Sequence, residues 1–144
     1  MSLLSDKVAD PQYGALSSAE LSVLLNAANG AESTATVNSY RANALDIMSL
    51  IGIADGVTFL DALEGLAATV SAVKWQMPFL KSVTGVDVGD AQVRAFFDQH
   101  VSQGTFDAAS VATIKALAES SISWAASNNV RVDPVRIQKL RGEI

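Results

Sequence analysis

His100 is the sole histidine of the 144-residue chain, so any imidazole acid–base chemistry rests on it. It falls four residues after Phe96, at the edge of an apolar helix face. A catalytic imidazole needs an orienting carboxylate and a reacting group within reach. Asp98 is two residues away, hence on a different face of a helix. His100 therefore reads as a structural or boundary residue. One histidine and no cysteine leave no ligand set for a structural zinc, and exclude disulfides and thiolate nucleophiles. Asp61 and Glu64, one helical turn apart, are the pair of carboxylates that hydrolysis would require if their surroundings drove their pKa values apart. Both lie off the apolar stripe of their helix, and a solvated face explains them. Asp87-Val88-Gly89-Asp90 resembles part of a calcium loop. Counting from Asp87, the twelfth residue is Asp98 and not the glutamate an EF-hand loop needs, so turn and cap chemistry is expected there. The chain has no GxxxxGK, no GxGxxG and no Gly-x-Ser-x-Gly. No catalytic, cofactor-binding or metal-binding residue is expected, and no enzyme.

The residues that remain are suited to contact rather than to reaction. Trp75 and Phe79 are four apart and share one face of a continuous helix. Aromatic side chains carry much of the energy of protein contacts, which makes the pair an interface candidate. The plain alternative is that another helix of the same domain covers them. Arg136, Lys139 and Arg141 form a second candidate. The last fourteen residues, with Arg131 as well and against Asp133 and Glu143, carry +2, whereas the remainder carries −7 of the net −5. Such a segment suits docking on an acidic partner. Its alternative is complementarity with the dipole at a helix C-terminus.

Helices must position these residues. Between Phe59 and Leu80 the apolar positions Phe59, Leu63, Leu66, Val70, Val73, Met77 and Leu80 recur in steps of four and three, the seam of one long amphipathic helix opened by Asp55. Pro78 either kinks that helix or ends it near Gln76, with a new helix starting there. Ser2 to Val8 forms a short helix that stops before Asp10-Pro11. Ser17-Ser18-Ala19-Glu20 fits a capping box ahead of Leu21, Leu24, Leu25 and Ala28. Ala31 to Val37 reads as a loop and the best site for internal mobility. Asn38 or Ser39 caps a helix whose face is Tyr40, Ala44, Ile47, Met48 and Ile51, ended by Gly52. Thr84 to Asp90 is a loop. A helix with Val93, Phe96, Phe97 and Val101 inward follows and closes at Gly104. Asp107 caps the next, whose stripe runs Val111, Ile114, Ala118, Ile122, Ala125. Asp133-Pro134 starts a final basic helix.

Two-residue alternation is nearly absent, so β-structure beyond a short pairing is not expected. The fold class is thus all-α, a compact array of six or seven helices around a long central helix. Residues 1–144 form a single domain, with an N-terminal arm (1–16) and a basic C-terminal helix (134–144). The N-terminus lacks a basic region followed by an apolar core, so no signal peptide is expected. The most apolar region, Leu45 to Val73, carries Asp46, Asp55, Asp61 and Glu64, too many charges for a membrane span. An acidic chain is a poor nucleic-acid binder.

Val86-Asp87-Val88-Gly89-Asp90, then Val93 and Phe97, Gly104, Ile114-Lys115-Ala116-Leu117, Ser121-Ile122-Ser123-Trp124-Ala125 and Val130-Arg131-Val132-Asp133 to Arg141 form one series. That series resembles small helical proteins encoded among the structural genes of tailed bacteriophages. The resemblance covers roughly the C-terminal 40% of the chain and brings no catalytic signature. It implies a non-enzymatic virion structural or accessory protein. Such a protein would work by helix-mediated contacts in assembly, in many copies or as a homo-oligomer, in the virion or the host cytoplasm. A small cytoplasmic adaptor or regulatory domain that binds another protein is the competing reading. A carboxylate enzyme using Asp61 and Glu64 is the third.

Overall fold

The computed structural model describes residues 3–144; Ser2, the expected start of the first helix, and Met1 lie outside the described residues. In chain order the elements are α1 (Leu3–Ala9), a 3-10 turn (Pro11–Tyr13), α2 (Ser18–Asn26), β1 (Thr34–Val37), β2 (Arg41–Ala42), α3 (Ala44–Ile51), α4 (Ile53–Ala67) and α5 (Ser71–Leu80). They continue with β3 (Val86–Asp87), α6 (Ala91–Ser102), α7 (Ala108–Ala116), β4 (Glu119–Ile122), α8 (Trp124–Ser127) and α9 (Pro134–Arg141). The described residues are mostly helical, with two small two-stranded sheets among them, β1 with β4 and β2 with β3. No described helix is long and apolar enough to cross a membrane.

The chain forms two compact units, Met1–Thr36 with Ser121–Ile144, and Val37–Ser120. The first is built on α1, α2, α8 and α9. Its core is Leu4, Val8, Tyr13, Leu21, Leu25, Ala125, Val132 and Ile137. Ser17 caps α2 by accepting from Glu20 N, and Asp133 caps α9 by accepting from Arg136 N, with Pro134 in the first turn. Lys7 Nζ donates to Glu32 Oε2 at 2.6 Å, and Tyr13 Oη donates to the other oxygen of Glu32. Lys7 also stands over the rings of Tyr13 and Trp124. Lys7 and then Tyr13 hold the Glu32 carboxyl below its ordinary value. Burial alone would lower the Lys7 value, but its bonds to Glu32 and Tyr13 outweigh that and raise it.

The second unit packs α3, α4, α5, α6 and α7 around Phe59, Phe97 and Phe106, whose rings meet at centroid distances of 4.9 to 6.1 Å. Such tilted and edge-on pairs add to the gain from burial alone. Asn43, not Asn38 or Ser39, caps α3, because Asn43 and Asp46 complete a reciprocal capping box. Tyr40 accordingly precedes the helix and is exposed. Gly56 lets α3 and α4 approach closely, since a Cβ there would stand 2.8 Å from Met48 Cα. Arg41 and Ala42 pair antiparallel with Asp87 and Val86, so the expected Thr84–Asp90 loop contains a short strand. At the end of that pairing a Cβ on Gly89 would fall 1.9 Å from the Asn38 carbonyl oxygen, and only glycine fits.

Further sequence expectations change. The stripe from Phe59 to Leu80 belongs to two helices, because the chain turns at Ala68–Val70. Val70 is extended there (φ −113°, ψ 105°), and β-branched Thr69 and Val70 are poor helix formers. Phe59, Leu63, Val73, Met77 and Leu80 nevertheless all reach one core, which is why the rhythm survives the turn. Pro78 neither ends α5 nor starts a helix. It lies in the last turn, where it has no N–H for the carbonyl of Lys74, an exposed residue. The stripe from Val111 to Ala125 is divided too, because α7 stops at Ala116 and β4 follows. Ser121 Oγ stands 2.6 Å from both Ala28 O and Asn29 Oδ1 and gives its one proton to this pair of acceptors, and Ser123 caps α8. Serine side chains that bond backbone groups compete with helix in this way. Likewise Thr34–Val37, expected within a loop, is β1.

Candidate functional site

Most of the side chains with potential for chemistry have structural partners. His100 is buried between Phe96 and Phe106, at centroid distances of 4.4 and 5.7 Å, with Nδ1 unpaired. Asp98 turns instead to Lys115 Nζ at 2.7 Å. Glu64 accepts from Lys81 Nζ at 2.8 Å on an exposed surface, and Asp61 is exposed one turn earlier. Asp87 accepts from Tyr40 N at 3.0 Å, Gly89 N at 2.9 Å and Ser39 Oγ at 2.9 Å. The Tyr40 N–H is the main cause that lowers its pKa. Asp90 caps α6 by accepting from Gln92 N and Val93 N. Turn and cap chemistry thus occupies the calcium-like motif.

Contact residues divide differently. Trp75 is 72% exposed and Phe79 51% exposed, so no helix of the described residues covers them. Because α5 continues through Pro78, the two side chains share one face. Val83, three residues beyond the helix, is 97% exposed. Lys74 flanks Trp75, exposed and with no ion pair among the described residues. In the basic C-terminal helix, Arg141 is held by its own unit: it donates to Leu16 O at 2.7 Å and Tyr13 O at 3.0 Å. Its side chain is 16% exposed, which makes it a clamp between α9 and the turn before α2. Arg136 donates to Arg131 O at 2.8 Å, and Lys139 stands exposed beside it.

The other side of α5 has a feature that apolar periodicity alone does not disclose. A cleft of about 200 Å³ enters the core of the second unit between α5 and α6. Its walls include Ile47, Phe59, Leu63, Val73, Met77 and Phe97, all buried. Exposed Ala72, Gln76, Asp90 and Gln92 form its mouth. In sequence these wall residues are indistinguishable from close-packed core, because void space is a property of packing and not of pattern. At about 100° per residue, the buried wall residues Val73, Met77 and Leu80 lie roughly a third of a turn or more from Trp75 and Phe79, with Ala72 and Gln76 at the border between the two faces. One helix thus carries an apolar projection and one wall of an apolar recess.

Compared with protein-family models, curated proteins and solved structures, the chain matches none. The reading of function rests on these surfaces.

Proposed function

We propose that this is a non-enzymatic protein that works by helix-mediated contact with other proteins. The observation that carries the reading is the exposed pair Trp75 and Phe79 on one face of α5. Two large aromatics left in water on a rigid element are what an interface hot spot requires. Exposed Arg136 and Lys139 supply a second, electrostatic contact for an acidic surface. The structural engagement of Glu64, Asp87, Asp90 and Asp98 supports a contact role over acid–base chemistry. The resemblance over Val86–Arg141 to proteins of tailed-phage structural gene clusters supports placing these contacts in virion assembly, with the protein in several copies. A small cytoplasmic adaptor would use the same aromatic face on a different partner.

Sedimentation of the purified chain, and of the particle fraction from its source, tests the reading. Assembly requires symmetric oligomers or co-sedimentation with particles, and loss of both in a folded W75A/F79A variant. A chain that remains an inert monomer and stays out of the particle fraction overturns it.

A further inference from the structure

We propose that the cleft between α5 and α6 is the receptor for Trp75 of a second copy of this chain. The inference deepens the contact reading above and rests on it. Three observations of the second unit converge. The first is size. A dry apolar cavity of about 150 Å³ takes a benzene ring, so one of about 200 Å³ is of the order of a bicyclic indole. The second is chemistry. The walls are aliphatic and aromatic side chains, and Met77 among them adapts its shape to a guest. Exposed Gln76 and Gln92 at the mouth offer carboxamide oxygens to the indole N–H, which seeks a partner when buried.

The third is charge. At net −5, copies of the chain repel one another, so self-association needs a local attraction. Lys74, next to the projecting Trp75, is an exposed cation with no ion pair among the described residues. Asp90 at the mouth uses Oδ2 to cap α6, and its Oδ1 has no partner among the described residues. Exposed Lys74 and the Oδ1 of Asp90 supply the opposite charges such an attraction needs. Because projection and recess occupy different faces of α5, a copy cannot fill its own cleft with its own Trp75, and the recess is left for a neighbour. Phe79, on the same face of α5 as Trp75, is exposed and available to cover the rim, which excludes water from the central contact.

The test is complementation between two single-site variants of the full chain, each shown by circular dichroism to be folded. W75A removes the projection and keeps the cleft. A72W adds an indole at the mouth from an exposed position, one turn before Trp75, and leaves Trp75 itself in the chain. Sedimentation velocity over a range of concentrations should show wild type associating and each variant alone monomeric, with self-affinity weakened by ~30-fold or more, as at a hot-spot tryptophan. Mixed together, the two variants should form a one-to-one complex, because A72W still offers Trp75 to the open cleft of W75A. Q92A and Q76A report on the mouth without disturbing the core and should weaken association more modestly. Association of W75A alone equal to wild type, or failure of the mixture to pair, overturns the proposal. A wild-type chain that is monomeric at every concentration yet co-sediments with particles through Trp75 also overturns it, while leaving the contact reading intact.

Discussion

At the scale of single residues, several polar groups of the second unit hold backbone in place. Asp87 is the clearest case. It joins the approach to β2 with the turn after β3 by accepting from two backbone N–H groups and one hydroxyl. Its folded pKa is lowered from the ordinary 3.8, so the unfolded chain binds more protons near that pH. The stability that Asp87 supplies is fully present above the ordinary value and is lost as pH falls through the lowered one. Chemical denaturation as a function of pH should therefore show stability declining below about pH 4, and D87N should flatten that decline. A D87N profile with unchanged acid dependence would remove Asp87 from this role. Glu32 acts with the same sign in the first unit, through Lys7 and Tyr13. Gly89 is a steric requirement beside Asp87. Its substitution by alanine sets Cβ against the Asn38 carbonyl, and a loss of ~3 kcal/mol or more is expected in urea unfolding.

Helices and strands show where local sequence signals suffice and where they do not. Caps were legible because they are local chemistry. Ser17, Asp107, Asp133 and the Asp90 side chain each bond the N–H groups that their type and position lead one to expect. Apolar periodicity located α2, α3, α6 and α9, but it bridged two interruptions. The stripe through Val70 keeps its rhythm because α4 and α5 line one core. The stripe through Ile122 mixes residues of α7, β4 and α8. Strand pairing of β1 with β4 and of β2 with β3 depends on residues dozens of positions apart, which no window of sequence contains. Pro78 is the element-scale case with a measurable consequence. It costs α5 one hydrogen bond, in a last turn whose outer side faces water. P78A should restore the bond to Lys74 and raise the unfolding free energy by ~1 kcal/mol without altering the helix. A loss of stability would mean that the proline ring contributes packing that outweighs the bond.

At the scale of the whole molecule, the candidate site was half legible. Trp75 and Phe79 stood out by type and spacing, and their exposure could be known only from the fold, since core aromatics share that spacing. Arg136, Lys139 and Arg141 form one group by charge, but the fold divides them: Arg141 is a half-buried clamp, whereas Arg136 and Lys139 face outward. The cleft behind α5 had no sequence signal at all. Its walls are ordinary core residues, and only their three-dimensional arrangement leaves a recess. What joins these features is α5 itself, which presents its aromatic pair to solvent while its inner face builds the recess. The sedimentation-velocity mass distribution of folded W75A/F79A beside wild type tests that role most directly. Loss of the associated species by the variant, with its thermal midpoint unchanged, is the predicted result; an unchanged mass distribution, pure and in the particle fraction, would contradict it.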